Sequence, residues 1–131
     1  MTYYADLTPY EYLGPEPGVL NVGWLEASHP FAVAEANPEL IRRLATAARY
    51  SRVNQTRGYH PCSICGPGRA APYVRVGWRR IHLGSAELRV RGADVTYAAP
   101  DLVVHYIRDH GYAPPQPFVD AAIKPVRARS R

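Results

Sequence analysis

The segment RGYHPCSICGPG, residues 57–68, contains both cysteines of the 131-residue chain. Cys62 and Cys65 are separated by two residues, a spacing that can place both sulfur atoms on one tetrahedral metal ion. Glycine and proline follow the second cysteine, so the chain turns there and its amides can face the sulfurs. Thiolates are soft ligands that suit zinc better than calcium or magnesium. The segment therefore predicts a zinc knuckle.

Two other interpretations of the cysteine pair remain open. A redox-active pair needs its first cysteine at a helix N-terminus, where the helix dipole lowers the thiol pKa. The sequence Gly66-Pro67-Gly68 disfavours a helix after Cys65. The remaining alternative is a pair of inert thiols.

Two cysteines do not complete a structural zinc site, so two further ligands are expected from elsewhere in the chain. His105 and His110 have the H-x4-H spacing found in small zinc domains. On an ideal helix, residues five apart lie about 140° apart around the axis, so convergence requires a tightened last turn. Gly111 ends the predicted helix, which makes such a distortion feasible.

Other histidines compete for the same role. His60 points to the same side as Cys62 if the chain is extended at Pro61, and His82 ends a basic stretch. Either one could replace a helix histidine. The predicted metal ligands are Cys62, Cys65, His105 and His110, and the predicted cofactor is zinc.

A catalytic zinc would keep one coordination position for water, and Glu87 or Asp109 could then carry protons. The sequence Pro61-Cys62-Ser63-Ile64-Cys65 matches half of the zinc deaminase signature, but the H-x-E half is missing. The sequence also contains no H-E-x-x-H, no G-x-S-x-G and no glycine-rich phosphate loop. A hydrolytic zinc enzyme therefore stays an alternative without assigned catalytic residues.

Charge is segregated along the chain, whose formal net charge is +5 at pH 7. Residues 1–39 contain six acids and no lysine or arginine, whereas residues 40–91 contain eleven arginines and one acid, Glu87. One interpretation is that the acidic opening pairs with the basic middle within one fold. Alternatively, the arginines form a surface for an anionic partner, either protein or nucleic acid, because guanidinium groups bind phosphate and carboxylate in bidentate fashion.

Aromatic residues lie among these arginines, as in proteins that bind single-stranded nucleic acid. Arginines contact phosphates while exposed rings stack on unpaired bases. The competing interpretation is that Tyr73 and Trp78 form the core of a hairpin, the usual place of large aromatics in a small domain. The aromatic residues of this block are Tyr50, Tyr59, Tyr73 and Trp78, beside Arg49, Arg57, Arg75, Arg79 and Arg80.

The hydrophobic pattern predicts short strands and few helices. A tyrosine-rich arm at residues 1–18 is expected to lie on the core. Gly84-Ser85 is expected to join the second and third strands into a hairpin, and Asn37-Pro38-Glu39 to start the first helix. Strands are predicted at residues 19–25, 73–78, 86–91 and 95–98, and later helices at residues 100–110 and 118–123.

The resulting fold class is α+β, with a small antiparallel sheet of three or four strands, two or three helices and a treble-clef-like zinc knuckle. We expect one zinc-stabilised domain at residues 1–123 and a basic, disordered tail at residues 124–131. The first twenty residues do not resemble a secretory signal, and no segment is long and apolar enough to span a membrane. We therefore expect a cytoplasmic protein without a membrane partner, acting as a zinc-binding accessory or interaction protein.

Several strings resemble the signature of a family of small, functionally uncharacterised bacterial proteins that carry HxCxxC and YAAPxLxxHYxxxHxYxPP motifs. They are YADLTPYEYL, NVGWLE followed by HPF, RGYHPCSIC, LGSAELRV and YAAPDLVVHYIRDHGYAPPQPFVDA, and they span residues 3–122. The resemblance implies that the cysteine turn and the histidine helix belong to one pattern and share a site. It implies no activity or substrate.

Overall fold

The computed structural model describes residues 2–124, which form five strands and three helices. The basic tail predicted at residues 124–131 lies outside the described residues, apart from Lys124. No helix within residues 2–124 combines the length and the apolar composition needed to cross a bilayer. In chain order the elements are β1 (Val19–Asn21), α1 (Pro38–Tyr50), β2 (Tyr73–Val76), β3 (Arg79–His82), β4 (Glu87–Arg91), β5 (Thr96–Pro100), α2 (Val103–His110) and α3 (Gln116–Ile123).

The predicted α+β class is confirmed, but the strands form two separate sheets. In the larger sheet β5 lies between β1 and β4, and β2 pairs only with β3. β4 and β5 are antiparallel, whereas β1 runs parallel to β5, with Val19 opposite Thr96. The expectation of a wholly antiparallel sheet is therefore wrong for β1. A parallel pair needs a long crossover connection, and here that connection carries α1, the cysteine turn and the β2–β3 hairpin.

The predicted pairing of the middle strands is also wrong. The chain turns at Gly77-Trp78, so Val76 lies opposite Arg79 in a tight β2–β3 hairpin. Gly77 has φ 64°, a conformation that suits the first residue of a two-residue hairpin turn. The strand predicted at residues 73–78 included Gly77 and was expected to pair with residues 86–91. Residues 86–91 instead overlap β4, which pairs with β5.

β1 is shorter than the strand predicted at residues 19–25. Gly23 has φ 79°, which interrupts the extended backbone. A β-carbon at this position would lie 2.6 Å from Cγ2 of Val103, so the glycine also permits close packing against α2. Trp24 and Leu25 remain buried although they are no longer in a strand.

The predicted start of α1 is confirmed in detail. The side chain of Asn37 accepts hydrogen bonds from the backbone N–H groups of Glu39 and Leu40, and Pro38 occupies the first turn. Glu39 lies near the positive end of the helix dipole, where its carboxylate is stabilised. α1 packs its buried Leu44 into the main core.

The tyrosine-rich arm lies on the core as predicted, and a second, smaller core lies under it. Trp24 is 1 % exposed and contacts the rings of Tyr4, Tyr10 and Tyr12. Its indole N–H donates to the carbonyl of Ala98 in β5 over 2.9 Å. The arm thus covers the outer side of the larger sheet.

Within residues 2–124, the acidic opening of the chain contacts the basic middle at one long-range ion pair. Glu16 accepts two hydrogen bonds from Arg89, at 2.9 and 3.1 Å, and Arg89 also contacts the buried Glu87. Glu39 binds Arg42 and Arg43 within its own helix. The acids of the opening segment therefore neutralise only some of the arginines of the basic middle.

Candidate metal centre

The two cysteines lie in a tight turn between α1 and β2. The backbone N–H of Cys65 donates to Sγ of Cys62 over 3.4 Å. Gly66 and Gly68 have φ values of 93° and 79°, so the chain reverses directly after the second cysteine, as its sequence predicts. Cys62 is buried and Cys65 half-buried, and both thiols are free. The turn therefore directs both sulfurs toward the same side.

The two histidines converge because the last turn of α2 is wider than a normal α-helical turn. Gly111 adopts the left-handed conformation that ends the helix, and its N–H donates to the carbonyl of Tyr106, five residues back instead of four. The N–H of Tyr112 donates to the same carbonyl over 3.1 Å. A wider, π-type turn reduces the angle between residues five apart below the roughly 140° of an ideal α-helix. The prediction of a tightened last turn is therefore wrong, because a widened turn brings His105 and His110 together.

The four predicted ligand side chains meet at one point. Their ligand atoms all lie within 4.8 Å of one another. Sγ of Cys65 lies 3.3 Å from Nε2 of His105 and 3.4 Å from Nε2 of His110, and Sγ of Cys62 lies 3.6 Å from Nε2 of His110. A tetrahedral zinc ion with ordinary bond lengths separates a sulfur and a nitrogen ligand by about 3.5 Å. The four side chains therefore form a candidate metal site with the spacing of tetrahedral coordination.

A carboxylate orients the ring of His105. Nδ1 of His105 lies 2.7 Å from Oδ2 of Asp109, one helical turn further along α2. An ionised carboxylate can only accept, so Nδ1 carries the proton and Nε2 presents its lone pair to the sulfurs. Arg108 in turn donates three hydrogen bonds to the carboxylate, at 2.7 to 3.1 Å. Carboxylate–histidine pairs of this kind support metal ligands in many sites.

The pKa shifts at the site follow from burial and from this ion pair. Burial raises the pKa of the Cys62 thiol and lowers the pKa of the His105 imidazole. The hydrogen bonds from Arg108 hold the pKa of Asp109 below its ordinary value. Without a cation the buried thiol and imidazole therefore favour their neutral forms, whereas a bound divalent ion would deprotonate a coordinating thiol.

The orienting role of Asp109 was not predicted from the sequence. Asp109 was expected only as a proton carrier for a catalytic zinc. The sequence contains a sign of this contact, because residues four apart on a helix lie on the same face and Asp109 is four residues after His105.

The competing candidates lie elsewhere. Within residues 2–124, neither His60 nor His82 belongs to the cysteine–histidine cluster. The backbone of His60 pairs with Gly84, and the exposed ring of His82 lies near the ring of Tyr73. Glu87 is also outside the cluster, buried under the arm with Tyr10 as its hydrogen-bond donor. Neither the two alternative histidine ligands nor the proposed proton carrier Glu87 therefore joins the site.

The order of the elements resembles a treble clef in part. A knuckle is followed by a hairpin and later by the helix that carries the histidines. Two features differ: β4 and β5 intervene between hairpin and helix, and His110 is the last residue of α2. The site defines a small α+β domain in which a zinc-knuckle-like turn and a helix provide a Cys2His2 set.

The family model described as "Domain of unknown function (DUF7919)" matches residues 2–123. The match covers nearly the whole chain, so the protein belongs to this family. This confirms the predicted resemblance to a family without an assigned function. No curated protein and no solved structure matches the chain.

Proposed function

We propose that Cys62, Cys65, His105 and His110 bind one zinc ion, and that this ion stabilises a small accessory or interaction domain at residues 1–123. The observation that carries the proposal is the meeting of four ligand atoms from two distant segments within 4.8 Å. Two thiolates and two imidazoles form the donor set that zinc prefers, whereas magnesium and calcium prefer oxygen.

The coordination number favours a structural over a catalytic zinc. Catalytic zinc sites combine three protein ligands with a water molecule, whereas structural sites have four protein ligands. Here four side chains share one centre. The two acids considered as proton carriers have other partners, since Asp109 holds His105 and Glu87 binds Tyr10. The hydrolytic enzyme therefore has less support than the structural site.

The ion would connect two segments that lie at least 40 residues apart in the sequence, since Cys65 precedes His105 by 40 positions. The cysteine turn precedes the β2–β3 hairpin, and α2 belongs to the main core. A metal bond between them has no counterpart in the unfolded chain, so its free energy contributes directly to folding. Thiolate ligands must also stay reduced, which suits the cytoplasm.

The surface next to the site supports an anionic partner. Arg69, Arg75 and Arg108 line an open groove of about 900 Å³ that also includes Cys65 and His105. Arg108 is paired with Asp109, so Arg69 and Arg75 are the groove arginines that can attract phosphate or carboxylate groups. The zinc-supported turn and α2 would then hold two sides of the groove in place.

Metal analysis of the purified protein tests the zinc site. We expect one zinc ion per chain by inductively coupled plasma mass spectrometry, and loss of the ion in Cys62→Ser and in His105→Ala. Cobalt substitution should give the intense visible bands of a tetrahedral ion and a thiolate charge-transfer band in the near ultraviolet.

The matched control is His82→Ala, which removes an exposed histidine outside the cluster and should retain full metal content. Wild-type protein without stoichiometric metal would overturn the proposal. Full zinc content with cobalt spectra of five- or six-coordination would overturn the structural assignment and favour a site with bound water.

A further inference from the structure

The outer face of the β2–β3 hairpin collects cationic and aromatic side chains. Tyr73 lies opposite His82 and Arg75 lies opposite Arg80, and all four are exposed. Alternate residues of a strand point to the same side, so these two cross-strand pairs form one continuous surface. The other face of the hairpin packs on the core.

Arg75 and Arg80 are like charges directly opposite each other, an arrangement that destabilises an antiparallel pair. Within residues 2–124 neither forms a salt bridge that would offset the repulsion. The guanidinium of Arg80 lies 4.3 Å from the ring centre of Tyr73, and that of Arg75 lies 6.0 Å from it. An anion placed between the two arginines would remove the repulsion.

Some arginines elsewhere in the fold have acidic partners. Arg42 and Arg43 both contact Glu39, and Arg89 contacts Glu16. These pairs use acids of the acidic opening segment, yet no acid of the described residues reaches the hairpin arginines. The hairpin arginines therefore keep a positive charge that is available to a partner. Within residues 2–124 the arginines outside the hairpin that also form no salt bridge are Arg49, Arg52, Arg57, Arg69 and Arg91.

The tip of the hairpin carries the most exposed large aromatic residue. Trp78 is 82 % exposed, and the guanidinium of Arg79 lies 5.9 Å from its ring centre. This overturns the interpretation of Trp78 as a hairpin core residue. Tryptophan contributes more apolar surface than most residues, and here its exposed ring lies beside the cationic side chain of Arg79.

The hairpin face continues into the groove beside the metal centre. Tyr73 and Arg75 line both, and Arg69 extends the positive charge toward Cys65, whereas Arg108 is paired with Asp109. The guanidinium of Arg108 donates to the backbone carbonyl of Tyr73 over 3.0 Å, which fixes the hairpin to α2. A chain-like ligand could therefore contact the tip, the outer face and the groove in succession.

We propose that this surface, formed by the outer face and tip of the β2–β3 hairpin, binds single-stranded nucleic acid. This proposal rests on the proposed function, in which an arginine-rich surface binds an anionic partner, and it identifies that partner. Arginines in a row can follow a phosphate backbone, and exposed rings of Tyr73 and Trp78 can stack on bases. Duplex bases hide their faces, so the exposed rings favour an unpaired strand. An acidic protein would satisfy the arginines but would leave the rings without a stacking partner.

Fluorescence anisotropy with labelled twelve-nucleotide oligo(U) and oligo(dT) tests the proposal on the zinc-loaded protein. We expect saturable binding that weakens steeply between 50 and 200 mM salt, because phosphate contacts release counterions. A hairpin duplex oligonucleotide and poly-glutamate serve as competing ligands. Tighter binding of either competitor, or no binding to the single strands at 50 mM salt, would overturn the proposal.

Trp78→Ala tests the stacking contact. Loss of one stacked base weakens binding about 5- to 150-fold, which follows from the usual contribution of base–aromatic stacking. Since Trp78 is exposed, the variant should keep its thermal midpoint and its zinc content. Unchanged affinity in this variant contradicts the proposed stacking.

The double variant Arg75→Ala/Arg80→Ala tests the phosphate contacts. Its matched control is Arg42→Ala/Arg43→Ala, which removes the same charge from arginines that pair with Glu39 at the start of α1. The hairpin variant should bind more weakly, with a salt slope shallower by about 1.4 for two lost contacts. Equal effects in both double variants would show attraction by net charge only and would reject the hairpin as the site.

Metal content separates the two proposals. Full zinc content without oligonucleotide binding rejects the nucleic-acid surface and leaves the zinc site standing. Oligonucleotide binding that depends on Trp78 in a protein without stoichiometric metal rejects the zinc site and supports the surface.

Discussion

The larger sheet and the β2–β3 hairpin obtain their stability in different ways. In β5 the residues from Tyr97 to Pro100 are all buried, and the sheet is covered by helices on one side and by the tyrosine arm on the other. The hairpin has one buried residue in each strand, Val74 and Ile81. The chain thus combines a sheet that is stabilised by extensive apolar burial with a hairpin in which only two strand residues are buried.

The magnitudes support this contrast. Full burial of a valine or isoleucine side chain contributes about 1.5–3 kcal/mol, and an isolated two-stranded hairpin is at best marginally stable in water. The hairpin is joined at one end to the cysteine turn and fixed to α2 through Arg108. Under the proposed function, the metal would provide the stability that burial does not. Four predictions test the contrast, beginning with the largest expected effect.

Removal of the metal should affect the two regions unequally. Structural zinc sites contribute on the order of 10 kcal/mol in small domains. After chelation we expect amide hydrogens of β2, β3 and the cysteine turn to lose protection, while those of β4 and β5 keep most of theirs. Hydrogen exchange by mass spectrometry, before and after chelation and after zinc is restored, measures this difference. Equal loss in both regions would mean that the metal supports the whole fold.

Trp24→Ala should destabilise the sheet region by about 3–5 kcal/mol, the usual cost of deleting a large buried aromatic side chain. The matched control is Trp78→Ala, where the 82 % exposed side chain should change the free energy of unfolding by less than about 0.5 kcal/mol. Urea denaturation of the zinc-loaded proteins gives both values. Similar costs for the two tryptophans would contradict the division into a buried and an exposed aromatic.

Asp101 should make the stability of the sheet region depend on pH. Its side chain is buried before α2. Oδ1 accepts from the N–H of Gly84 over 2.7 Å, and Oδ2 has no hydrogen-bond partner among residues 2–124. Burial raises the pKa of Asp101 to about 6 from its ordinary value of 3.8. Asp101 therefore makes its full contribution to the free energy of unfolding below pH about 4, where its carboxyl group is protonated in both the folded and the unfolded state. This contribution is lost as the pH rises through about 6.

Asp101→Asn removes this titration while keeping an acceptor oxygen for Gly84. Relative to wild type, the variant should gain about 2–3 kcal/mol of unfolding free energy between pH 4 and pH 7, since each tenfold change in the acid dissociation constant between the unfolded and folded states corresponds to about 1.4 kcal/mol. Denaturation of both proteins across this range gives the difference, in which the shared effect of pH on the metal cancels. A constant difference across the range would rule out the titration of Asp101.

Asp109→Asn should have the smallest effect, and it should be confined to the metal region. Loss of a carboxylate partner of a histidine ligand typically lowers metal affinity about 10- to 100-fold. Competition with a chromophoric chelator measures the affinity, and Asp94→Asn, at an exposed position after β4, is the matched control. Equal affinities in the two variants would show that Asp109 does not support the site.

The meeting of the four ligand side chains could be predicted because it depends on residue chemistry. The two cysteines are followed by glycines that turn the chain locally, and His110 directly precedes a glycine that ends its helix. The start of α1 was predictable for the same reason, since Asn37 and Pro38 act on backbone groups within a few residues. Local chemistry thus determined what was predicted correctly.

The errors concern long-range geometry. Alternation in a strand indicates which side chains face the core, but it does not identify the neighbouring strand. The parallel pairing of β1 with β5 depends on how the whole crossover connection packs, and the sequence near Val19 contains no sign of it. The widened end of α2 likewise depends on where Tyr112 docks, which is a tertiary contact.

The widened turn makes the number of residues between His105 and His110 as important as their identities. Inserting or deleting one residue there would rotate His110 by about 100° around the helix and leave its imidazole on another side of α2. Chains that lengthen this connection by one residue would then need a replacement donor from elsewhere, even with every cysteine and histidine still present. Counting the intervening positions is therefore a simple test for recognising which sequences can build the same cluster.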